Sequence, residues 1–172
     1  MLACTVARVG IPRLKTERLL LREWRGDDLD AYAAMSADPE VMRFLGGPVE
    51  RPQAWRGMAL MAGHWQLLGY GLWALERRAD GRFLGRAGLW QPDGWPGLEV
   101  GWALARDAWG AGYATEAARA AMSWARETLG AGELISLIAP ANAASRRVAE
   151  RLGMTPRERS RLRGEPVVIY AT

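Results

Sequence analysis

The sequence predicts a single domain of the α+β class, in which helices pack on a β-sheet. Segments typical of strands and segments typical of helices follow one another along most of the chain. Two of the strand-like segments, 70–77 and 82–90, flank an Ala-Asp-Gly turn that is typical of an antiparallel hairpin. A length of 172 residues suits one domain with its own core. We expect this domain to span residues 13–172, after a flexible leader at residues 1–12.

The first half of the domain is expected to contain a strand and three helical segments before the hairpin. An apolar run predicts a strand at 18–24, and the Gly-Asp-Asp sequence after it is typical of a helix start. The next segments are therefore a helix at 28–36, a short helical turn that begins at 38–40, and a longer helix at 51–65.

The second half is expected to alternate strands and helices. A strand at 98–104 leads through a glycine loop into an alanine-rich helix, which is followed by a strand at 133–139, a helix at 142–152 and a last strand at 166–170. Small residues recur at helical spacing in the alanine-rich helix, so it can lie close to a sheet. This stripe consists of Ala114, Ala118, Ala121 and Ala125. The polar positions of the same helix that we expect to face water are Glu116, Arg119, Ser123 and Arg126.

Composition narrows the classes of function. The net charge of +4 favours an anionic ligand. Most of the basic residues are arginines, and the chain has no lysine-rich block of the kind that binds nucleic acid, so we expect no nucleic-acid partner. Cys4 is the only cysteine, which excludes a disulfide or a multi-cysteine metal site within one chain and fits a reducing cytoplasm. Residues 57–75 carry no formal charge, but glycines and His64 interrupt them, so we expect no membrane span.

The most informative segment is the glycine loop at 109–117, WGAGYATEA, which opens the alanine-rich helix. Free main-chain N–H groups and the positive end of a helix dipole meet at such a helix start, and glycine lets an anion come close. The loop lacks the lysine of a P-loop, and Thr115 stands where a dinucleotide-binding loop has its third glycine. We therefore interpret it as a cradle of main-chain amides for the pyrophosphate of a ligand with a nucleotide end and an extended arm.

A second motif, Asn142-Ala-Ala-Ser145, follows the strand at 133–139. Asparagine is a favoured N-cap, so one interpretation is that Asn142 only begins the next helix. The other is that Asn142 hydrogen-bonds the amide-bearing arm of a ligand and that the Ser145 hydroxyl points at a reacting sulfur. The residues alone leave both interpretations open.

Together these segments resemble the GNAT acetyltransferases, specifically the branch that acetylates protein N-termini and contains the ribosomal-protein acetyltransferases. The resemblance covers about residues 14–171. It rests on four segments in this order and spacing: LKTERLLLR at 14–22, LEVGW at 98–102, WGAGYATEA at 109–117 and NAASRRVAERLGM at 142–154.

The resemblance implies three layers (α/β/α), with helices on both faces of a mixed, mostly antiparallel sheet that is splayed in a V between the strands at 98–104 and 133–139. Acetyl-coenzyme A would lie in the V as the cosubstrate, and no metal is implied. Main-chain groups near Leu104 would pair with the pantetheine amides, and Asn142 and Ser145 would lie along this arm. The residues implied to cradle the pyrophosphate are Trp109, Gly110, Ala111, Gly112, Tyr113 and Ala114.

Acyl transfer to an amine needs a deprotonated nitrogen and a protonated leaving thiolate. Glu99 is the candidate general base, because it is the one carboxylate in the strand at 98–104 and burial beside Trp102 would raise its pKa toward neutrality. The alternative is an exposed carboxylate paired with an arginine. Ser145 is the candidate proton donor to the leaving sulfur. We interpret His64, the only histidine, as structural.

We therefore expect an acetyl-coenzyme A-dependent N-acetyltransferase that acts by direct attack in a ternary complex, in the cytoplasm, as a monomer or homodimer. The acceptor would be a primary amine, either a peptide N-terminus or a small molecule. Residues 38–66 and 90–97 are expected to form the acceptor pocket, where Trp90 and Trp95 are candidate walls, but no motif in them identifies the acceptor. The alternatives are a catalytically silent coenzyme A-binding regulator and a basic nucleic-acid-binding domain.

Overall fold

One eight-stranded sheet runs through the part of the chain that the computed structural model describes, residues 10–172. Its strands are β1 (Leu14–Lys15), β2 (Leu19–Arg22), β3 (Leu72–Arg77), β4 (Phe83–Trp90), β5 (Glu99–Leu104), β6 (Ile135–Ile138), β7 (Thr155–Leu162) and β8 (Glu165–Ala171). The α-helices are α1 (Leu29–Ala37), α2 (Pro39–Met42), α3 (Arg51–Leu68), α4 (Tyr113–Leu129) and α5 (Ala143–Arg151). The strand order across the sheet is β1-β2-β3-β4-β5-β6-β8-β7.

The sheet opens between β5 and β6. Every other neighbouring pair is antiparallel, whereas β5 and β6 are parallel and share a single paired position, Glu99 with Ile135. Beyond that position the two strands have no register in common, so they diverge toward the end of β5 at Leu104. The mixed, mostly antiparallel sheet with a V between these two strands is thereby confirmed.

Helices cover both faces of the sheet, as the fold class predicted. Helix α4 lies on one face, and small side chains make this close approach possible. Four of its alanines, Ala117, Ala118, Ala121 and Ala125, are completely buried in the main core. The opposite face is covered by α1 and α3, where Tyr32 and Met58 belong to a second cluster that includes Ala103 of β5.

Strand β7 has no counterpart among the elements that the sequence predicted. It reads TPRERSRL, without apolar alternation, and all of its residues except Leu162 are exposed. It lies at the edge of the sheet beyond β8, so neither of its faces contributes to the core. Charged side chains are typical of such an edge because they discourage pairing with another chain. The two-residue strand β1 was also not predicted.

The other differences between the predicted and the observed elements are small shifts of their ends, apart from one residue of α4 whose exposure was predicted wrongly. Helix α3 ends later than predicted, at Leu68, and is followed by Gly69, whose φ of 74° is the left-handed conformation that glycine adopts easily. In the described part of the chain no helix is long and apolar enough to cross a membrane. The expectation that Glu116 faces water is wrong: its side chain is 16% exposed and forms an ion pair with Arg18.

The start of the chain is only partly described. Residues 1–9 of the predicted leader lie outside the described residues. Of the rest, Ile11 packs against the main core, and the carbonyl of Pro12 accepts a hydrogen bond from the indole N–H of Trp73 at 2.8 Å.

Candidate active site

A cavity of about 610 Å³ occupies the opening of the V. Its walls are the end of β5, the glycine loop and the first turns of α4 and α5. It brings together most of the site residues that the sequence predicted: Leu104, Trp109, Gly110, Gly112, Tyr113, Ala114, Asn142 and Ser145. Ala111 lines a neighbouring cavity of about 850 Å³ on the outer side of the glycine loop. Glu99 lines neither cavity and lies at the vertex of the V.

The glycine loop presents a row of main-chain donors. Gly110 and Gly112 have φ values of 76° and 83°, a left-handed conformation that other residues adopt only with strain. Within the described residues, no main-chain acceptor is bonded to the N–H groups of residues 110–115. Because α4 begins at Tyr113, the positive end of its dipole lies among these donors. The loop has the donor pattern of an anion site.

Thr115 adds a side-chain donor that the sequence analysis missed. It is 9% exposed and lines both cavities at the loop. Its hydroxyl oxygen is buried and has no hydrogen-bond partner within the described residues. Buried hydroxyls are normally paired, so this unpaired one is an exception, and it lies beside the anion cradle. The available signal was the place of Thr115 in the first turn of α4, three residues after Gly112.

The end of β5 turns its main chain toward the V. The N–H of Ala105 bonds to the carbonyl of Leu84 on the neighbouring strand β4, at 2.8 Å. Because successive residues of a strand direct their polar groups to opposite sides, the main chain of Leu104 faces the V. The Leu104 carbonyl accepts the indole N–H of Trp109 at 2.9 Å. Trp109 therefore joins the glycine loop to the strand whose edge the arm of a ligand would follow.

Asn142 begins α5, as one of its two interpretations predicted. Its side-chain oxygen accepts the N–H of Ser145 at 3.0 Å, which is an N-cap. The side-chain nitrogen of Asn142 has no partner within the described residues, and both Asn142 and Ser145 line the cavity. Capping and a ligand contact use different atoms of the same amide, so one does not exclude the other.

The carboxylate of Glu99 lies where β5 and β6 separate. The N–H of Ile135 bonds to the carbonyl of Leu98 at 3.0 Å, as in a parallel ladder. In a continued ladder the N–H of Leu137 would bond to the carbonyl of Val100. It donates instead to Oε1 of Glu99, at 3.3 Å. Glu99 thus replaces a main-chain acceptor at the vertex of the V.

Burial sets the charge state of this carboxylate. It raises the pKa of Glu99 to about 7, because the ionised form loses hydration. The N–H of Leu137, the indole of Trp95 and the positive charge of Arg86 oppose this rise. Glu99 is only partly exposed and forms no ion pair within the described residues. It does not match the alternative of an exposed carboxylate paired with an arginine, and it has the pKa that a base near neutral pH requires.

Trp95 holds the second oxygen of the carboxylate. Its indole N–H donates to Oε2 of Glu99 at 2.8 Å. It comes from the connection between β4 and β5, a segment in which the sequence analysis expected an acceptor pocket. Nothing in the sequence indicated the contact with Glu99. The contact depends on the turn between Pro92 and Trp95, which places the indole beside the start of β5 in the folded chain.

His64 is buried and lines neither cavity. Its ring stacks on Trp90 with ring centres 4.4 Å apart. Its Nδ1 lies 2.8 Å from the carbonyl of Tyr70, and its Nε2 accepts the N–H of Gln91 at 3.4 Å. Trp90 is the partner of Glu99 in the β4–β5 pairing, so this stack supports the strand opposite the vertex.

Helix α2 and the turn after it form the outer wall of the V cavity. The residues involved are Glu40, Val41, Arg43, Phe44 and Leu45. An ion pair of 2.5 Å between Arg106 and Asp38 fixes this wall to the turn after β5. Part of the segment that was expected to bind the acceptor therefore lies beside the cavity.

Comparison with known proteins gives a consistent result. Residues 18–155 match the acetyltransferase (GNAT) domain family. The uncharacterized protein YkkB of Bacillus subtilis strain 168 is 32% identical over 161 residues, which cover 92% of this chain and 94% of that protein.

Solved structures agree with the sequence match. The acetyltransferase from Agrobacterium tumefaciens strain C58 is 35% identical, with a TM-score of 0.86 and 95% of each chain covered. A ribosomal L7/L12 alpha-N-protein acetyltransferase in complex with coenzyme A has a TM-score of 0.77 over 94% of this chain and 97% of that chain, but its identity is 17%, so it shows a shared fold alone.

Proposed function

The chain belongs to the GNAT family of acetyltransferases, and from this premise we propose that it acetylates a primary amine by direct attack on acetyl-coenzyme A. Membership makes the protein an acyltransferase whose acyl donor is acetyl-coenzyme A. The finer proposal concerns the acceptor and the residues. The observation that carries it is the half-buried carboxylate of Glu99, with a pKa raised to about 7, at the vertex of the cavity-bearing V.

The residues at the open end of the V fit the diphosphate of this donor. The free N–H groups of residues 110–115 and the unpaired hydroxyl of Thr115 are donors without acceptors. A diphosphate supplies acceptors and negative charge at the positive end of α4. The pantetheine arm would then follow the main chain near Leu104, past Asn142 and Ser145, toward the vertex.

The proposed reaction is a single displacement. Glu99 accepts a proton from the acceptor ammonium, either directly or through water, and the neutral nitrogen attacks the thioester carbonyl. The carbon–sulfur bond breaks as the amide forms, and the Ser145 hydroxyl donates a proton to the leaving thiolate. The attacking nitrogen loses its second proton to Ser145, directly or through water, which restores the hydroxyl, and Glu99 releases its proton to solvent. Main-chain N–H groups of β5 that face the V would stabilise the oxyanion.

An α-amine suits this base better than a lysine side chain. Its reference pKa is about 7.7–8.0, close to that of Glu99, whereas the pKa of a lysine is about 10.4. The proton transfer to Glu99 is therefore less unfavourable from an α-amine. We propose a peptide N-terminus or a small-molecule α-amine as the acceptor, in the cytoplasm, without a nucleic-acid partner.

An acceptor screen tests the proposal. Free thiol is measured after mixing the protein with acetyl-coenzyme A and a panel of N-terminal peptides, amino acids, polyamines and lysine derivatives. The expected result is thiol release with α-amines, strongly reduced by Glu99→Gln. Binding of coenzyme A without turnover on any acceptor would replace the proposal by a silent coenzyme A-binding regulator. Salt-dependent binding of DNA or RNA with indifference to acetyl-coenzyme A would favour the nucleic-acid alternative.

A further inference from the structure

We infer that Arg18 is a positioning residue for acetyl-coenzyme A, which holds the glycine loop from its outer side so that the loop's N–H groups face the diphosphate. Arg18 lies in the turn between β1 and β2, far from the loop in sequence. The inference rests on the proposed function, because it assumes that the loop binds the donor.

Glu116 connects the β1–β2 turn to the first turn of α4. Its Oε1 accepts the hydroxyl of Thr16 at 2.6 Å and the N–H of Arg18 at 2.8 Å. Its Oε2 accepts Nε of Arg18 at 2.7 Å. One carboxylate thus takes three hydrogen bonds from the turn, which fixes the Arg18 guanidinium beside the loop.

The other end of the guanidinium contacts the loop itself. Nη1 of Arg18 donates to the carbonyl of Ala111 at 2.8 Å. The guanidinium carbon lies 4.7 Å from the ring centre of Tyr113, the first residue of α4. The Arg18 side chain therefore bridges the carboxylate of Glu116 and the middle of the loop, and its planar fork suits this bridging role better than a lysine would.

The contact with Ala111 determines where the next N–H points. In a trans peptide the carbonyl oxygen and the amide hydrogen point in opposite directions, and the described residues contain no cis peptide bond. Arg18 holds the carbonyl of Ala111 on the side of the outer cavity, which Ala111 lines. The N–H of Gly112 in the same peptide unit then points away from Arg18, and Gly112 itself lines both the outer cavity and the V cavity.

This geometry predicts an effect on binding of the donor and not on the chemical step. Without Arg18 the Ala111–Gly112 peptide is free to rotate, and the row of donors is no longer preorganised. We expect the KM for acetyl-coenzyme A to rise about tenfold, the effect of one charge-assisted hydrogen bond. The kcat at saturation should stay within about twofold, because Glu99 and Ser145 lie elsewhere in the V.

The test compares two acetyl donors. The variant Arg18→Met keeps most of the stem but removes the guanidinium. S-acetylpantetheine has the thioester and the arm of acetyl-coenzyme A but no diphosphate. The inference predicts that kcat/KM falls about tenfold with acetyl-coenzyme A and is unchanged with S-acetylpantetheine.

A neighbouring arginine provides the matched control. Nη1 of Arg78 donates to the carbonyls of Thr16 and Glu17, at 2.7 and 2.9 Å, so it supports the same turn without contacting the loop. Arg78→Met should leave the KM for acetyl-coenzyme A unchanged. An equal change from Arg18→Met and Arg78→Met would show that only the turn matters, and would overturn the inference.

Other outcomes are equally decisive. Equal losses with both donors, or no change in either, would overturn the inference, since the contact would then be structural or without effect. Calorimetric titration with coenzyme A keeps the inference separate from the proposed function. If the wild type binds coenzyme A but shows no turnover, the proposed reaction fails, and the inference still predicts about tenfold weaker binding by Arg18→Met.

Discussion

The two ends of the V differ in what they are built from. The open end consists of main-chain N–H groups on one continuous segment, residues 110–115, together with the hydroxyl of Thr115. The vertex consists of side-chain and main-chain groups from separate segments, with Glu99 on β5, Trp95 on the preceding connection and Leu137 on β6. The first end is local in sequence, and the second exists only when the sheet has formed.

This difference assigns different functions to the two ends. A row of main-chain donors binds an anion but cannot change its protonation, so the open end governs affinity for the donor. The carboxylate at the vertex has a pKa close to 7 and can exchange a proton at neutral pH, so the vertex governs the rate. Substitutions at the two ends should therefore separate kcat from KM.

The largest effect is expected from Glu99→Gln. The variant keeps the shape of the side chain but cannot accept a proton. We expect kcat to fall by about 10²-fold or more, with the KM for acetyl-coenzyme A changed less than about threefold. Steady-state assays of thiol release with an α-amine acceptor measure both constants.

Asp93→Asn is the control for this prediction, since it removes an exposed carboxylate from the connection that also carries Trp95. It should retain nearly full activity. If Glu99→Gln raised the KM for acetyl-coenzyme A and left kcat intact, the division of labour between the two ends of the V would be wrong.

The next largest effect is expected from Gly112→Ala at the open end. The φ of 83° at Gly112 is unfavourable for alanine by about 1–2 kcal/mol, and an added Cβ would lie 3.5 Å from Nη2 of Arg18. We expect the KM for acetyl-coenzyme A to rise about tenfold while kcat stays within about threefold. Kinetic titration of acetyl-coenzyme A at saturating acceptor measures the change.

Gly130→Ala separates the loop from the general cost of strain. Gly130 ends α4 with a φ of 64° and so carries a similar penalty at the opposite end of the same helix. Its substitution should lower stability without raising the KM. Equal effects of the two substitutions on the KM would argue against the loop as the diphosphate site.

The contrast between local and tertiary construction also explains how much the sequence could predict. The glycine loop and the N-cap at Asn142 are local patterns, and the structure contains both at the predicted positions. The V between β5 and β6 was predicted only from the resemblance to the family, which rests on the order and spacing of four sequence segments. Strand β7 escaped prediction because an edge strand with no core face shows no apolar period.

The parts of the site that the sequence did not predict are those that depend on contacts between residues far apart in the chain. Glu116 looked like a water-facing position of α4 because helical periodicity takes no account of what packs on that helix. The contact from Arg18 crosses 98 positions in the sequence. The unpaired hydroxyl of Thr115 and the indole of Trp95 on Glu99 are likewise properties of packing. Residue type and spacing carry no record of them.

A smaller effect is expected in the pH dependence. With a pKa of about 7 for Glu99, kcat/KM should rise with pH, and the midpoint of the rise should lie near pH 7. The indole of Trp95 lowers this pKa by hydrogen bonding to the ionised form, so Trp95→Phe should shift the rise to higher pH. At pH 6.5 we expect a loss of about threefold that disappears at high pH.

Trp90→Phe is the matched control, because Trp90 lies opposite Glu99 on β4 but does not donate to the carboxylate. Its pH profile should coincide with that of the wild type. If Trp95→Phe does not shift the pH profile, the ionisation that governs kcat/KM does not belong to Glu99. The vertex would then not be the site of proton transfer.

The smallest effect, on stability, distinguishes a base from a structural carboxylate. Folding raises the pKa of Glu99 from 4.5 to about 7, so the folded state favours the protonated form, and stability is lost as the pH rises between these values. Glutamine cannot ionise and avoids this loss. For a partly exposed group we expect Glu99→Gln to increase the free energy of unfolding at pH 8 by about 1–2 kcal/mol, and by less at pH 5. Urea unfolding at both pH values measures the difference.

A carboxylate kept only to hold β5 and β6 together should behave in the opposite way. Its removal would weaken the hydrogen bond from Leu137 at every pH, and Glu99→Gln would then be less stable than the wild type at pH 8 as well as at pH 5. A residue that lowers stability at the pH where it is ionised, and whose loss also lowers kcat, is retained for its chemistry. Measured together, the two readouts on one variant decide whether the vertex of the V is a joint of the sheet or the site of proton transfer.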